Sequence, residues 1–348
     1  MWLIHTTLLT LMGFQGDPQE DYAILSHTWG EDKVTFADFR EQKVLASSGY
    51  AKIKKAAELA RSHYLRFLWV DTCCIDKTSS AELSESINSM YRWYRNARFC
   101  IAYLSDVEAA TLSELSTHDS NFRRSRWFTR GWTLQELVAP KTVMFYAKDW
   151  SYLMVKEPVP SSQASCTLLA EITGINRSLS DISVANRMRW ASFRKTTRSE
   201  DMAYCLLGLF NVNMPLLYGE GDRAFVRLQE EILKETDDQS LFLWALSPKE
   251  RTSSDDLCGL LAHSTRLFSI VDFDYVRPLP PTRSQESAHV SITNQGLRLP
   301  TSMGSLHCTE PQQREIWKRP LMLCGPQIMH PWTLTLHHPL RRIHLAVP

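Results

Sequence analysis

Short apolar runs ending in polar residues alternate with amphipathic stretches along the first 150 residues. The clearest is Phe67-Leu-Trp-Val70, which runs into Asp71 and then into polar residues before a helical pattern begins near Ala81. Such a run reads as a buried strand of a parallel sheet with its polar tip at the carboxyl end, the edge where open α/β sheets bind ligands. Tyr22-Ala-Ile-Leu-Ser26, followed by His27-Thr-Trp-Gly30, is an earlier strand; Phe99–Leu104 and Thr142–Ala147 are later ones. Between them, Ile53, Ala56, Ala57, Leu59 and Ala60 recur at helical spacing, as do Leu83, Ile87, Met90, Tyr91 and Tyr94. Ser80 is the expected N-cap of the second helix, and a third is expected to start near Trp132. Residues 1–20 read as a leader with turn signals at Gly13, Gly16, Asp17 and Pro18. Alternating strands and helices predict an α/β fold, a parallel sheet with flanking helices.

Beyond residue 150 the periodicity changes. Leu168, Leu169 and Ile172, then Met202, Cys205, Leu206 and Leu209, then Phe225, Leu228 and Ile232 follow helical spacing, and no strand is expected up to residue 240. After Trp244 the chain turns Ser/Pro/Asp-rich and then β-prone. A hairpin is expected over His289–Leu299 about an Asn294-Gln-Gly296 turn, and the last thirty residues carry no assignable pattern. The expected organisation is an α/β domain over 1–150, a helical segment packed on it over 151–245, and a β-prone or poorly ordered tail over 246–348.

Composition changes this picture little. Of 348 residues, 44% are hydrophobic and 22% charged, ordinary for a globular protein, and a net charge of +1 gives no reason to expect nucleic acid as a partner. The eight cysteines contain no C-x-x-C pair, which argues for a reduced, cytoplasmic protein without a zinc ribbon or disulfide framework. The apolar start has no basic region and is interrupted by His5-Thr-Thr7 and Thr10, so it does not read as a signal peptide. No run reaches the ~18 apolar residues of a membrane span.

Four blocks together resemble the fungal heterokaryon-incompatibility (HET) domain family: Tyr22–Gly30, Leu68–Lys77, Ile87–Tyr94 and Arg130–Leu137. Arg198–Phe210 and Met214–Gly221 are similar to the helical segment that commonly follows that domain, so the resemblance covers roughly residues 1–245. It implies a role in self/non-self recognition that ends in programmed cell death. A more distant likeness is to TIR domains, on a flavodoxin-like sheet, through Ser125-Arg-Trp127 and Trp132-Thr-Leu-Gln-Glu-Leu137. In TIR proteins that act as NAD glycohydrolases, the glutamate of that block is catalytic. Carried over, the role falls on Glu136, with Ser26, His27, Trp29, Asp71 and Trp132 as candidate substrate contacts. NAD would then be a substrate, and no cofactor is implied.

Cleavage of a nicotinamide–ribose bond passes through an oxocarbenium-like state, as glycoside hydrolysis does, and one carboxylate can stabilise that charge. Each candidate also has a plainer reading. Glu136 could be an exposed helix residue paired with Arg126 or Arg130. His27 could bond a loop backbone, Trp29 could cover the sheet edge, and Asp71 could cap the helix-entry loop. Cys73 or Cys74 as a nucleophile lacks any group to lower the thiol pKa. Gly219-Glu-Gly221 reads as a turn before a helix, and Arg123, Arg124, Arg126 and Arg130 as a solvated basic face. Two functional readings remain: an NAD hydrolase that works on self-association, or a non-enzymatic homotypic assembly module that presents its Tyr91–Tyr94 helix face. Either would take its trigger from an upstream sensor protein or from the unassigned tail.

Overall fold

The computed structural model describes residues 1–30, 32–42, 47–158, 163–176, 179–236, 238–245 and 260–269, and the strand backbones at 291–293, 296–298, 333–338 and 341–346. The chain divides into two compact units, Met1–Leu179 with Phe193–Ala224, and Ser180–Ser192 with Phe225–Pro348.

The first unit is built on a seven-stranded sheet. The expected leader is instead a hairpin, β1 (Trp2–His5) and β2 (Leu11–Gly13). The polar residues that interrupt its apolar run make the turn. His5 Nδ1 accepts from the backbone N–H of Thr7 and Leu8, and Leu9 takes a positive φ of 51°. Then come β3 (Tyr22–His27), α1 (Phe36–Arg40), α2 (Ser48–Ser62), β4 (Phe67–Val70), α3 (Ser80–Asn96) and β5 (Phe99–Tyr103). The short α4 (Leu112–Leu115), a 3-10 turn over Arg126–Thr129 and α5 (Thr133–Val138) lead to β6 (Val143–Tyr146) and β7 (Tyr152–Lys156). The strand order is β2-β1-β4-β3-β5-β6-β7.

Only β4-β3-β5-β6 are mutually parallel; β1 lies antiparallel on β4 and β7 antiparallel on β6. The expected parallel sheet with flanking helices is present in these four strands, and antiparallel strands at its two sides make the whole sheet mixed. The β7 strand falls where none was expected, because it is fed by a tight turn in which Trp150 has a φ of 69° and Ser151 bonds the Asp149 carboxylate. Tryptophan has no preference for such a turn, so the pattern conceals it. The four parallel strands follow the doubly wound order in which the chain reverses between its first and third strands, here β3 and β5. Ligands collect at the carboxyl ends around such a switch point.

All six residues of β3 and all four of β4 are buried, as both faces of a covered sheet require. Trp69, fully buried, packs against Trp93 and Tyr94 of α3 at ring-centroid distances of 5.7 and 5.8 Å. The α3 N-cap is Ser79 rather than Ser80. Its extended backbone (φ −93°, ψ 112°) lets the hydroxyl accept from Glu82 N–H.

Between β7 and residue 235 the described elements are helical: α6 (Gln163–Thr173), α7 (Val184–Ala191), α8 (Asp201–Tyr204), α9 (Leu207–Phe210) and α10 (Arg223–Glu235). Within the first unit α9 packs on α3, and Gly208 is what allows it: an added Cβ would lie 1.9 Å from Tyr91 Cβ. On this face Trp93 and Tyr94 are buried, with Tyr94 1% exposed, and Tyr91 is partly covered by α9. In the second unit β8 (Ser291–Thr293) and β9 (Gly296–Arg298) form the expected hairpin, though its turn at 294–295 lies outside the described residues. A further hairpin, β10 (Thr333–His338) with β11 (Arg341–Ala346), occurs in the stretch without an assignable pattern. The Ser/Pro/Asp-rich stretch after Trp244 lies largely outside the described residues. No described helix is long and apolar enough to cross a membrane.

Candidate functional site

At the carboxyl end of β3, successive side chains leave on opposite faces of the sheet, so Ser26 and His27 serve two different environments. Ser26 is 1% exposed; it donates to Glu136 Oε2 and accepts from Trp127 Nε1 at 2.7 Å. Tyr94, from α3, also hydrogen-bonds the Glu136 carboxyl. Glu136 is only 7% exposed and forms no ion pair with Arg126 or Arg130, so it is neither the exposed helix residue nor the salt-bridge partner of the plainer reading. Burial first, and then the Asp71 carboxylate, push its pKa up to about 8; Ser26, Arg130 and Tyr94 oppose the shift without cancelling it. The carboxyl is thus protonated at neutral pH in the free protein.

The helix carrying Glu136 is short and needs holding. Thr133 Oγ1 donates to the Trp127 carbonyl and accepts from Arg194 Nη1 at 3.0 Å, and the same guanidinium donates to Arg130 O at 2.9 Å. Gly131 N–H donates to Lys195 O at 2.8 Å, and Lys195 N–H to Thr129 O at 2.7 Å. An added Cβ on Gly131 would meet Thr196 Cγ2 at 2.4 Å, so glycine is what lets the two segments run side by side. At the other end, Lys156 Nζ donates to Leu137 O, near the end of α5, and to Pro140 O just beyond it, at 2.8 and 2.7 Å.

On the other face, His27 is buried and its Nδ1 has no hydrogen-bond partner. Asp71 Oδ1, 3.9 Å away and also unpartnered, is too distant for a hydrogen bond. Burial holds the His27 pKa down to about 4, and the Asp71 carboxylate offsets this only in part. The ring is therefore neutral at pH 7, and the two residues do not form an ion pair. Asp71 Oδ2 instead accepts from Trp29 Nε1 at 2.7 Å. That bond fixes the indole, 39% exposed, beneath three cations: Lys77 Nζ, Lys33 Nζ and Arg130 Cζ at 4.1, 5.5 and 6.0 Å from its centroid. His27 lines a cavity of about 230 Å³, and Trp29 one of about 690 Å³. Glu136 lines neither.

Of the residues expected from sequence, the structure brings Ser26 to Glu136, and His27 and Trp29 to Asp71. Trp132 stands apart: as the N-cap of α5 it directs its side chain to a hydrogen bond with Asp201. Trp127, Tyr94 and Arg194 were missed as site residues. Ser125-Arg-Trp127 was legible as a motif, but nothing in the spacing showed that its indole reaches Ser26. The guanidiniums are mostly tied up, Arg123 with Glu171, Arg124 with Asp119, and Arg126 with Ser105 Oγ. Cys73 is buried, and its thiol is pushed well up, opposite to what a nucleophile needs. Gly219 and Gly221 form a turn with positive φ whose N–H groups donate to Glu200 Oε1.

Comparison with known proteins adds the following. Residues 22–121 match the family model for heterokaryon incompatibility protein (HET), and residues 223–267 match a domain of unknown function, DUF8212. Ser26, His27, Trp29 and Asp71 fall inside the first match; Trp132 and Glu136 fall beyond it. The chain is similar to the vegetative incompatibility protein HET-E-1 of Podospora anserina, with 44% identity over 227 residues, 62% of this chain and 16% of that protein. The similarity thus spans under a fifth of the relative's length. No solved structure matches. Over residues 22–121 the chain thus carries a heterokaryon-incompatibility (HET) domain.

Proposed function

We propose that this protein acts in fungal self/non-self recognition and triggers programmed cell death in the cytoplasm, and that its effector step is hydrolysis of NAD at Glu136. The single observation carrying this reading is a buried carboxyl, cradled by Ser26 and Tyr94 near the switch point of the sheet, with its pKa raised to about 8. Perturbed carboxyls at such edges mark candidate chemistry. The NAD pyridinium brings a positive charge that draws the proton off Glu136 when the substrate binds. The carboxylate then faces the ribose as positive charge develops there. The C1′–N bond breaks with its electron pair leaving on nicotinamide, water adds to the ribosyl cation, and its proton goes to solvent by way of Glu136. The products are nicotinamide, ADP-ribose and a proton.

One observation favours a second reading, a non-enzymatic module that signals by homotypic assembly: Glu136 is nearly enclosed and lines neither neighbouring cavity. The two readings come together if assembly, prompted by an upstream sensor, opens the site. Nicotinamide release from NAD by the purified chain, at low and high protein concentration, tests this. Wild type should release nicotinamide at a rate rising steeply with concentration, and Glu136→Gln should lose about 100-fold or more with unchanged self-association. Folded, self-associated protein that releases none at any concentration is the assembly module.

A further inference from the structure

Two cavities open along the carboxyl edge of the parallel strands, and Lys33, Val34 and Thr72 line both. The smaller, about 230 Å³, is bounded by His27, Asp32, Lys52 and the start of α2 at Ser48 and Gly49. The larger, about 690 Å³, is bounded by Trp29, Phe36, Ile75 and Lys77. Small-molecule sites occupy ~300–1,000 Å³. The larger cavity has room for a nucleoside; the smaller has room for phosphate groups.

The charges are arranged accordingly. Among the described residues the ammoniums of Lys33, Lys52 and Lys77 form no ion pair, and each lies over an aromatic ring instead: Lys33 and Lys77 over Trp29, Lys52 over Tyr103 at 5.5 Å. Burial lowers the pKa of Lys52 and Lys77, and the Asp71 carboxylate offsets this only in part. The carboxylates lining the cavities are Asp32 in the smaller and Glu41 and Asp76 in the larger, with Asp71 behind Trp29. Asp32 accepts from Ser48 Oγ at 2.9 Å, Asp71 from Trp29, and Asp76 from Thr78 Oγ1 at 2.6 Å.

Backbone adds to this. The N-terminus of the fifteen-residue α2 faces the smaller cavity; Ser47 Oγ caps the Tyr50 N–H at 3.1 Å, and the N–H groups of Ser48 and Gly49 have no intrahelical acceptor. Gly49 is required there because a Cβ would lie 2.0 Å from Asp32 O; its absence lets the Lys33 loop lie against the start of the helix. His27, nine-tenths buried and with Nδ1 unpartnered, closes the same wall.

The geometry points to one ligand spanning both cavities, a nucleoside diphosphate, with its nucleoside against Phe36 and Ile75 and its phosphates running past Lys33 to Lys52, His27 and the start of α2. That this diphosphate is part of the NAD consumed at Glu136 rests on the function proposed above; the site itself does not.

Calorimetric titration of the full chain with ADP, adenosine and inorganic pyrophosphate tests the site, with nicotinamide release measured on the same preparation. ADP should bind about tenfold or more tightly than either fragment. Lys33→Ala and Lys52→Ala should each weaken ADP about tenfold and leave adenosine unchanged, at an unaltered thermal midpoint. ADP binding no tighter than adenosine, or unaffected by both substitutions, overturns the site; pyrophosphate binding as tightly as ADP overturns its nucleoside half. Nicotinamide release without ADP binding removes this site and leaves the hydrolase. ADP binding without release keeps the site and removes the hydrolase.

Discussion

Glu136 shows how far a single side chain is set by its surroundings. A glutamate in the first turn of a helix would ordinarily be solvated and ionised, helped by the helix dipole. Here burial dominates and its pKa rises to about 8. In the unfolded chain the carboxyl returns to an ordinary value, so between roughly pH 4.5 and pH 8 the folded state binds the extra proton. Stability contributed by the protonated group is full below that window and is lost as pH rises through the folded pKa. Glu136→Gln, which keeps an acceptor for Ser26 and carries no charge, should therefore gain stability over wild type as pH rises. The gain should be on the order of 2–4 kcal/mol between pH 5 and pH 9 in denaturant titrations. A difference independent of pH would mean that the carboxyl ionises normally in the fold. The same ionisation should appear in wild-type kcat/KM, which rises with pH towards a plateau above about 8 if the free carboxylate is the active form.

Elements in this fold are positioned by close approaches that glycine permits. Gly208 brings α9 onto Tyr91 of α3, the helix that also supplies Tyr94 to the Glu136 carboxyl. Gly208→Ala places a methyl carbon 1.9 Å from Tyr91 Cβ, within the stem of the side chain, where no rotamer change relieves it. We expect a loss of about 2–3 kcal/mol, read from the urea midpoint, in excess of the small gain Ala normally brings to a helix. A neutral result would show that α9 can withdraw from α3. The same logic bears on the Tyr91–Tyr94 periodicity, read from sequence as an assembly face. An amphipathic stripe reports that one side is covered, and the covering element here lies more than a hundred residues further along the chain.

At the scale of the whole molecule, the first unit is not a contiguous piece of sequence. Residues 193–224 return to it after residues 180–192 have joined the second unit. The returning segment supplies Arg194, buried to 4% exposure, and the Lys195 backbone pairing that steadies the turn before Glu136. A chain ending at residue 179 should therefore lose amide-exchange protection across residues 127–137, whereas one ending at residue 245 should keep it. Equal protection in the two would show that the site stands without the returning segment.

The parallel strands were legible in the apolar runs of Ala23–Leu25, Phe67–Val70 and Phe99–Ile101, because a strand buried on both faces must be apolar at consecutive positions; their order in the sheet was not. The placement of Ser26, His27 and Asp71 at one edge was legible too, since each follows such a run directly. The edge strands Trp2–His5 and Tyr152–Lys156 were not legible. Short and made by unusual turns, they depend on a neighbour already in place. Nor could the sequence show that the Trp127 indole, a hundred residues from Ser26, completes the hydrogen bonds around Glu136, or that Trp132 turns away to Asp201. Local pattern determines which backbone is buried; which polar atoms meet inside is decided by tertiary packing, because only there does leaving one unpaired become costly.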